Sequence, residues 1–88
     1  MVYYSRGKDE KMVTMGERLR ASRGRIGLTQ RDLAARTGVG LATIRRVEQE
    51  AMEPRMGTTR KLAAALGVAE GWLAYGVGDG PVDEREQA

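Results

Sequence analysis

The residues with the most distinctive chemistry lie in the segment TQRDLAARTGVGLATIRRVEQ, which spans positions 29–49. If this segment ends in a helix with Ile44 and Val47 facing inward, the opposite side of that helix points outward. Four residues near the helix N-terminus then lie on or beside the outward face: Leu41, Ala42, Thr43 and Arg46. An arginine guanidinium offers a fork of N–H donors that matches guanine O6 and N7 or the oxygens of a phosphate. The pattern therefore predicts a helix that can contact the edges of nucleic-acid bases.

Each outward residue would make a different contact. Arg46 has the reach to bond guanine, while Leu41 and Ala42 can make only apolar contacts, such as those with thymine methyl groups. Thr43 can bond a phosphate or a base edge, and Arg45 points toward solvent or a phosphate. Two structural alternatives stay open at this point: the arginines can form an ordinary solvated face, and Leu41 can be a partly buried cap contact.

Length and composition exclude several classes of protein. The 88 residues suffice for one small domain, and they include no Cys and no His. Disulfide scaffolds, zinc sites, thiol nucleophiles and imidazole acid–base chemistry are thereby excluded, so we expect no enzyme, no metal and no cofactor. No apolar run approaches the roughly 20 residues of a membrane span, and the charged start MVYYSRGKDEK lacks the apolar core of a signal peptide. We therefore expect a cytoplasmic protein without membrane contact.

The net charge of +3 hides an uneven distribution along the chain. Positions 14–61 hold eleven basic residues against five acidic ones, a local charge of +6. From position 67 onward, five acidic residues face one arginine, a local charge of −4. A basic body with an acidic tail indicates a polyanionic partner for the body.

Helix start and stop signals predict five short helices and no strands. Thr14 and Thr29 each stand three positions before an acidic residue, which is the spacing of a capping box. Between the glycines and prolines that interrupt the chain, the predicted helices have these approximate bounds: 15–23, 30–36, 41–49, 58–66 and 69–75. We expect an all-α domain at 14–76, between a flexible N-terminal arm at 1–13 and a flexible acidic tail at 77–88.

The segment at 29–49 meets the steric demands of two helices that cross over a short turn. Ala34 is small where the second helix passes close by, and Gly38 can adopt the left-handed conformation that such a turn needs. Three further residues are expected to pack against Leu33: Val39, Ile44 and Val47. This combination resembles the helix-turn-helix of the phage repressor and Cro-like (XRE-type) family.

The resemblance extends over roughly positions 14–76, with Glu48 at the place where the family's third helix ends in a glutamate. Two positions depart from the family pattern. The family often has Asn-Gly after that glutamate, whereas this chain has Gln49–Glu50. We therefore expect the backbone to leave the third helix in a different conformation. Thr59 stands where an apolar residue is usual, so we expect looser packing of the fourth helix.

The resemblance implies a compact five-helix, lambda-repressor-like domain whose third helix enters the major groove of DNA. It also implies that Gln30 contacts the DNA backbone, where a helix N-terminus favours a phosphate; the alternative is an ordinary first-turn residue. Arg23 and Glu48 resemble a pair that ties the first helix to the third. Other candidate phosphate contacts precede or open the fourth helix: Arg55, Arg60 and Lys61.

Together these features predict a sequence-specific regulator of transcription that binds double-stranded DNA as a homodimeric repressor. Because one recognition helix covers only a few base pairs, two-fold pairing would give a palindromic operator with half-sites about 10 bp apart. Candidate dimer contacts lie in or after the fifth helix: Trp72, Leu73, Tyr75 and Val77. For Trp72, a place in the core is the main expectation, with a dimer contact as the other. Two alternatives stay open, namely an antitoxin with a DNA-binding domain and a protein partner, and a helix-turn-helix module used only for protein–protein contact.

Overall fold

The chain folds into five helices in a computed structural model that describes residues 14–78 and 80. The helices have these bounds: α1 (Met15–Arg25), α2 (Gln30–Thr37), α3 (Leu41–Glu48), α4 (Met56–Leu66) and α5 (Glu70–Tyr75). No strand occurs within these described residues. The predicted all-α, five-helix architecture is therefore confirmed. In the same part of the chain, none of the helices is long and apolar enough to cross a bilayer.

Both predicted capping boxes are present. The Thr14 hydroxyl accepts a hydrogen bond from the Glu17 backbone N–H at 3.2 Å, and Glu17 Oε1 accepts one from the Thr14 N–H at 3.3 Å. Thr29 and Asp32 make the same reciprocal pair at the start of α2, at 3.0 and 2.9 Å. Each box satisfies two backbone donors that a helix start otherwise leaves without a partner. Hydrogen bonds from the backbone N–H and side chain of Thr29 also hold the pKa of Asp32 below its ordinary value.

Two helix boundaries differ from the sequence-based prediction. Helix α1 continues through Gly24 to Arg25, because the left-handed residue that turns the chain is Gly27, with φ of 75°. Helix α4 begins at Met56, two residues earlier than predicted, and Arg55 stands before it in an extended conformation without a side-chain capping hydrogen bond. The other ends agree with the prediction within about one residue, which is the usual scatter of helix assignments.

The core lies where all five helices meet. Helix α1 packs against α3 and α5, while α2 packs against α3 and α4, and α5 also contacts α4. Eleven hydrophobic residues are buried there: Leu19, Leu28, Leu33, Val39, Ile44, Val47, Leu62, Ala63, Leu66, Trp72 and Leu73. Thr59 is buried as well, with 1% of its surface exposed, and its hydroxyl donates to the Arg55 carbonyl oxygen at 3.3 Å. The expected looseness of the fourth helix is therefore absent at this position, since the hydroxyl is satisfied within the helix itself.

A close backbone approach joins α1 to α3. Gly16 lies so near the end of α3 that an added Cβ would stand 2.6 Å from the Val47 carbonyl oxygen and 2.9 Å from that of Glu48. The position therefore has room for glycine alone unless the helices shift. It sets how closely the first helix supports the C-terminal end of α3.

A buried arginine joins α1 to α5. Arg18 is only 6% exposed, and its Nε donates to the Leu73 carbonyl oxygen at 2.9 Å while its Nη2 donates to that of Ala74 at 3.1 Å. These carbonyls belong to the last turn of α5, where a helix leaves acceptors unsatisfied and favours a positive charge. Arg18 thus closes the C-terminal end of α5 from within the core.

Candidate nucleic-acid interface

Helix α3 presents one apolar and one open face. Ile44 and Val47 are 0% and 2% exposed, so they fix the helix against the core. The opposite side carries Ala42, Arg45 and Arg46, all of them exposed. Because successive residues turn by about 100° around a helix, Ala42 and Arg46 lie nearly one above the other and farthest from the buried side.

Two other residues flank this open face. Leu41 and Thr43 are each half-buried at the margins of α3. Part of the Leu41 side chain is therefore accessible, and part packs against the domain. Its position is compatible with both alternatives given from the sequence, an apolar contact with a DNA base and a partly buried contact at the start of the helix. Together with Ala42 and Arg46, these side chains form the surface that we call the α3 outer face.

The turn before α3 orients that face. Gly38 adopts a left-handed conformation, with φ of 77°, and its N–H donates to the Ala34 carbonyl oxygen at 2.9 Å. Thr37, which the sequence analysis did not single out, bridges the turn: its hydroxyl donates to the Leu33 carbonyl oxygen at 2.7 Å and accepts from the Val39 N–H at 3.1 Å. Both apolar neighbours, Leu33 and Val39, are buried. The turn is therefore held by backbone, hydroxyl and core contacts together.

Glu48 is the centre of a polar cluster at the other end of α3. Arg23 donates to both of its carboxylate oxygens, from Nε to Oε2 at 2.8 Å and from Nη2 to Oε1 at 3.0 Å. Gln30 Nε2 donates to the same Oε1 at 3.0 Å, and Arg20 Nε lies 3.6 Å from it. One buried carboxylate therefore connects α1, α2 and α3. Arg20 was missed at the sequence level, and only its position one turn before Arg23 could have suggested it.

The electrostatics of this cluster favour an ionised Glu48. Burial by itself raises the pKa of the carboxyl group, since Glu48 is only 4% exposed. Hydrogen bonds from Arg23 and Gln30, together with the charges of Arg23 and Arg20, outweigh burial and lower the pKa below its ordinary value. The hydrogen bond from Glu48 in turn raises the pKa of Arg23. The pair is thus fully charged at neutral pH.

Gln30 has two roles available in this geometry. It is the first residue of α2 and half-buried, with its amide directed to Glu48. A side-chain amide carries two N–H donors and a carbonyl acceptor, so the contact to Glu48 uses one donor and fixes the orientation of the group. The structure therefore places this side chain at a helix N-terminus in a defined orientation, which sequence spacing alone did not provide.

The other candidate phosphate contacts lie on a separate element. Arg55, Arg60 and Lys61 are all exposed, in the first half of α4 or just before it. Arg60 Nε is 3.2 Å from Glu70 Oε1, in an ion pair that is exposed on both sides. Such surface pairs contribute about 0–1 kcal/mol and are easily exchanged for another anion. The pair therefore partly neutralises Arg60, but it leaves the side chain accessible.

The four candidate dimer residues divide into two groups. Trp72 and Leu73 are 8% and 0% exposed and belong to the core of this chain. This is the core position expected for Trp72, and it corrects the assignment of Leu73 as surface for a partner. Their apolar side chains are already covered by the other helices. Tyr75 and Val77 are 69% and 66% exposed, so they keep the surface that a partner would need.

The chain turns at Glu50 as it leaves α3. Glu50 has φ of 62°, a left-handed conformation that residues other than glycine seldom adopt. Its carboxylate accepts a hydrogen bond from the Thr14 hydroxyl at 2.8 Å. This contact ties the start of α1 to the turn after α3.

The predicted N-terminal arm at 1–13 and residues 79 and 81–88 of the predicted tail lie outside the described residues.

Comparisons with known proteins support one family. A helix-turn-helix family model matches residues 19–73, which is more than half of the chain. A similar solved structure is the restriction-modification controller protein C.AhdI from Aeromonas hydrophila, with a TM-score of 0.65 and 32% identity over 70% of this chain and 94% of that one. No curated protein matches the chain significantly in sequence.

Two further solved structures have similar folds. The DNA-binding domain of the P22 C2 repressor gives a TM-score of 0.66 and 31% identity, covering 70% of this chain and 82% of that one. The hypothetical transcription factor NHTF from Neisseria gives a TM-score of 0.67 and 27% identity, covering 88% of this chain and 83% of that one. The compact five-helix, lambda-repressor-like fold that the family resemblance implied is thereby confirmed.

Proposed function

This chain belongs to the helix-turn-helix family, and from that membership we propose that it is a sequence-specific DNA-binding regulator of transcription. The observation that carries the proposal is the α3 outer face, where an exposed Arg46 and Ala42 stand opposite the buried Ile44 and Val47. A helix with one face fixed in the core and the other open fits the major groove, whose width admits an α-helix. Two solved structures of similar fold carry names that fit such a role, one a controller protein and one a repressor DNA-binding domain.

Base recognition would come from the α3 outer face. Arg46 would donate to O6 and N7 of one guanine, while Leu41 and Ala42 would contact thymine methyl groups. Thr43 would bond a base edge or a phosphate. Each well-formed bidentate contact distinguishes the correct base by about 1–3 kcal/mol, so Arg46 would be the largest single source of specificity.

Phosphate contacts would set the orientation of α3 in the groove. Gln30 would use its remaining amide N–H, with the N-terminus of α2, to hold a phosphate on one side. Arg45 would contact the backbone beside the base-reading residues. Arg55, Arg60 and Lys61 would contribute from α4, with Arg60 exchanging its surface partner Glu70 for a phosphate. These contacts are independent of sequence and supply salt-sensitive affinity.

A homodimeric repressor on a palindromic operator is the finer form of this proposal. A single α3 spans too few base pairs for a specific site, and two copies related by a two-fold axis would place half-sites about 10 bp apart. Tyr75 and Val77 supply exposed apolar surface near the end of the domain, where such a pair could meet.

Selection of bound sequences from random duplex DNA tests the proposal. We expect a palindromic site to be enriched, and we expect binding to that site to weaken with salt at a slope set by the number of phosphates contacted. Enrichment of no sequence, with weak binding that disappears at modest salt, would overturn sequence-specific recognition. In that case the domain would act through protein contacts, as a helix-turn-helix module without an operator.

A further inference from the structure

A groove separate from the α3 outer face lies between α1, the turn after α3, and the facing ends of α4 and α5. It has a volume of about 370 Å³ and is open to solvent. Four of its lining residues provide apolar surface: Met15, Met52, Met56 and Tyr75. Met52, Met56 and Tyr75 are 37%, 39% and 69% exposed and line one groove, and exposed apolar residues grouped in this way are typical of interaction sites.

The chemistry of the groove suits an aromatic occupant. Methionine side chains are unbranched and polarizable, and they form favourable contacts between sulfur and aromatic rings. Met56 already has one aromatic neighbour, because the Tyr75 hydroxyl donates a hydrogen bond to Met56 Sδ at 3.8 Å. Met52 and Met56 can adapt their rotamers to further rings without displacing the buried core.

The rim of the groove is acidic. Glu50 and Glu53 line it, and they stand on the turn between α3 and α4. Glu50 accepts a hydrogen bond from the Thr14 hydroxyl, which uses only part of its acceptor capacity. An occupant with apolar rings followed by positive charges would therefore match both the floor and the rim.

We propose that the groove binds the N-terminal segment of its own chain, with Tyr3 and Tyr4 against the methionines. Thr14, the first described residue, itself lines the groove, so the segment at 1–13 starts from its edge. Nine residues separate Tyr4 from Thr14, and a chain of that length reaches at most roughly 30 Å, more than enough to turn back at Gly7. Arg6 would then face the acidic rim.

Attachment to the same chain favours this occupant over a free partner. A short tether gives the segment an effective concentration on the order of millimolar, so weak individual contacts suffice to fill the groove. The sequence MVYYSRGK supplies two aromatic rings and then two positive charges within eight residues. That order is complementary to a methionine floor with the Glu50 and Glu53 rim.

Nuclear Overhauser effects in the full-length protein without DNA test this arrangement. We expect cross-peaks between the Tyr3 or Tyr4 ring protons and the methyl groups of Met52 and Met56. The double variant Tyr3→Ser/Tyr4→Ser should abolish them and shift both methionine methyl signals, whereas Ser5→Ala should leave cross-peaks and shifts unchanged. Methyl signals of the buried Ile44 serve as an internal control for an intact fold.

Three outcomes would overturn the proposal. Absence of the cross-peaks, with identical methionine shifts in the wild type and the double variant, would leave the groove without this occupant. Methionine shifts that depend on protein concentration, and that are the same in the wild type and the double variant, would place a second copy there. Cross-peaks found only between differently labelled chains would mean that the segment binds a partner copy. Because no DNA is present, each result is independent of whether the α3 outer face recognises an operator.

Discussion

Arg23 on α1 donates to both carboxylate oxygens of Glu48 at the end of α3, at distances of 2.8 and 3.0 Å. Gln30 on α2 donates to the same carboxylate at 3.0 Å. A single buried side chain therefore fixes the two helices of the helix-turn-helix relative to the first helix. The orientation of the α3 outer face depends on this connection as well as on the apolar core.

Neutralising Glu48 should destabilise the domain. Glu48→Gln leaves Arg23, whose side chain is only 17% exposed, with a weaker partner, and we expect the free energy of unfolding to fall by about 1–3 kcal/mol. Urea denaturation at neutral pH measures the change. The control is Glu53→Gln, which removes the same charge from an exposed position on the turn after α3. Equal stabilities of the two variants would contradict the role assigned to Glu48.

The same cluster predicts an acid dependence of stability. Burial raises the pKa of Glu48, but hydrogen bonds from Arg23 and Gln30 outweigh it and hold the folded-state pKa below the ordinary value of 4.5. The stabilisation is therefore complete above about pH 4.5 and is lost as the pH falls through the lower folded-state pKa. Unfolding free energies measured from pH 7 downward should fall more steeply for the wild type than for Glu48→Gln. If the free energy of unfolding fell equally steeply with pH in the two proteins, the prediction would be contradicted. Asp32, whose pKa is also lowered, is present in both proteins and contributes equally to their pH dependence.

Two glycines of α1 should respond oppositely to alanine. At Gly16 an added Cβ would stand 2.6 Å from the Val47 carbonyl oxygen, so Gly16→Ala should destabilise the domain by about 1–3 kcal/mol. At Gly24 nothing lies within 4 Å, so Gly24→Ala should stabilise it by about 0.5–1 kcal/mol through helix propensity. Thermal unfolding of both variants measures the difference. A Gly16→Ala protein as stable as the wild type would show that α1 and α3 do not approach so closely.

Glycine at position 50 should relieve backbone strain. Glu50 has φ of 62°, and the left-handed conformation costs an L residue about 1–2 kcal/mol. Glu50→Gly also removes an exposed hydrogen bond from Thr14, so we expect a net gain of about 0.5–1 kcal/mol. Chemical denaturation measures it, with Glu53→Gly as a control that should lose stability. A net loss at position 50 would mean that the Thr14 contact outweighs the strain.

Local signals in the sequence predicted most of the fold. Capping boxes depend on residues three positions apart, so Thr14 and Thr29 marked two helix starts correctly. Left-handed Gly38 likewise marked the end of α2. The periodic Ile44 and Val47 predicted which side of α3 is buried. Each of these features is determined by neighbours along the chain, which is why sequence alone was sufficient.

Contacts between distant segments were harder to predict. Gly16 meets the end of α3 and Arg18 caps α5, across 31 and 55 positions respectively, and neither residue has a local pattern that reveals this. Leu73 was assigned to a partner surface although it fills the core, because an apolar residue on a short helix fits either environment. The base and phosphate roles remain predictions, since they depend on a partner that the chain alone does not contain.

Selection from random duplex DNA with three proteins at one salt concentration tests the central claim most directly. The wild type should enrich a palindrome. Arg46→Ala should lose preference at one base position of each half-site, by about 1–3 kcal/mol. Its neighbour Arg45→Ala removes the same charge from the same helix, and it should weaken binding to all sequences about equally. If Arg46→Ala instead keeps the full base preference and only loses affinity, as Arg45→Ala does, the α3 outer face does not read bases through Arg46 and the account is contradicted.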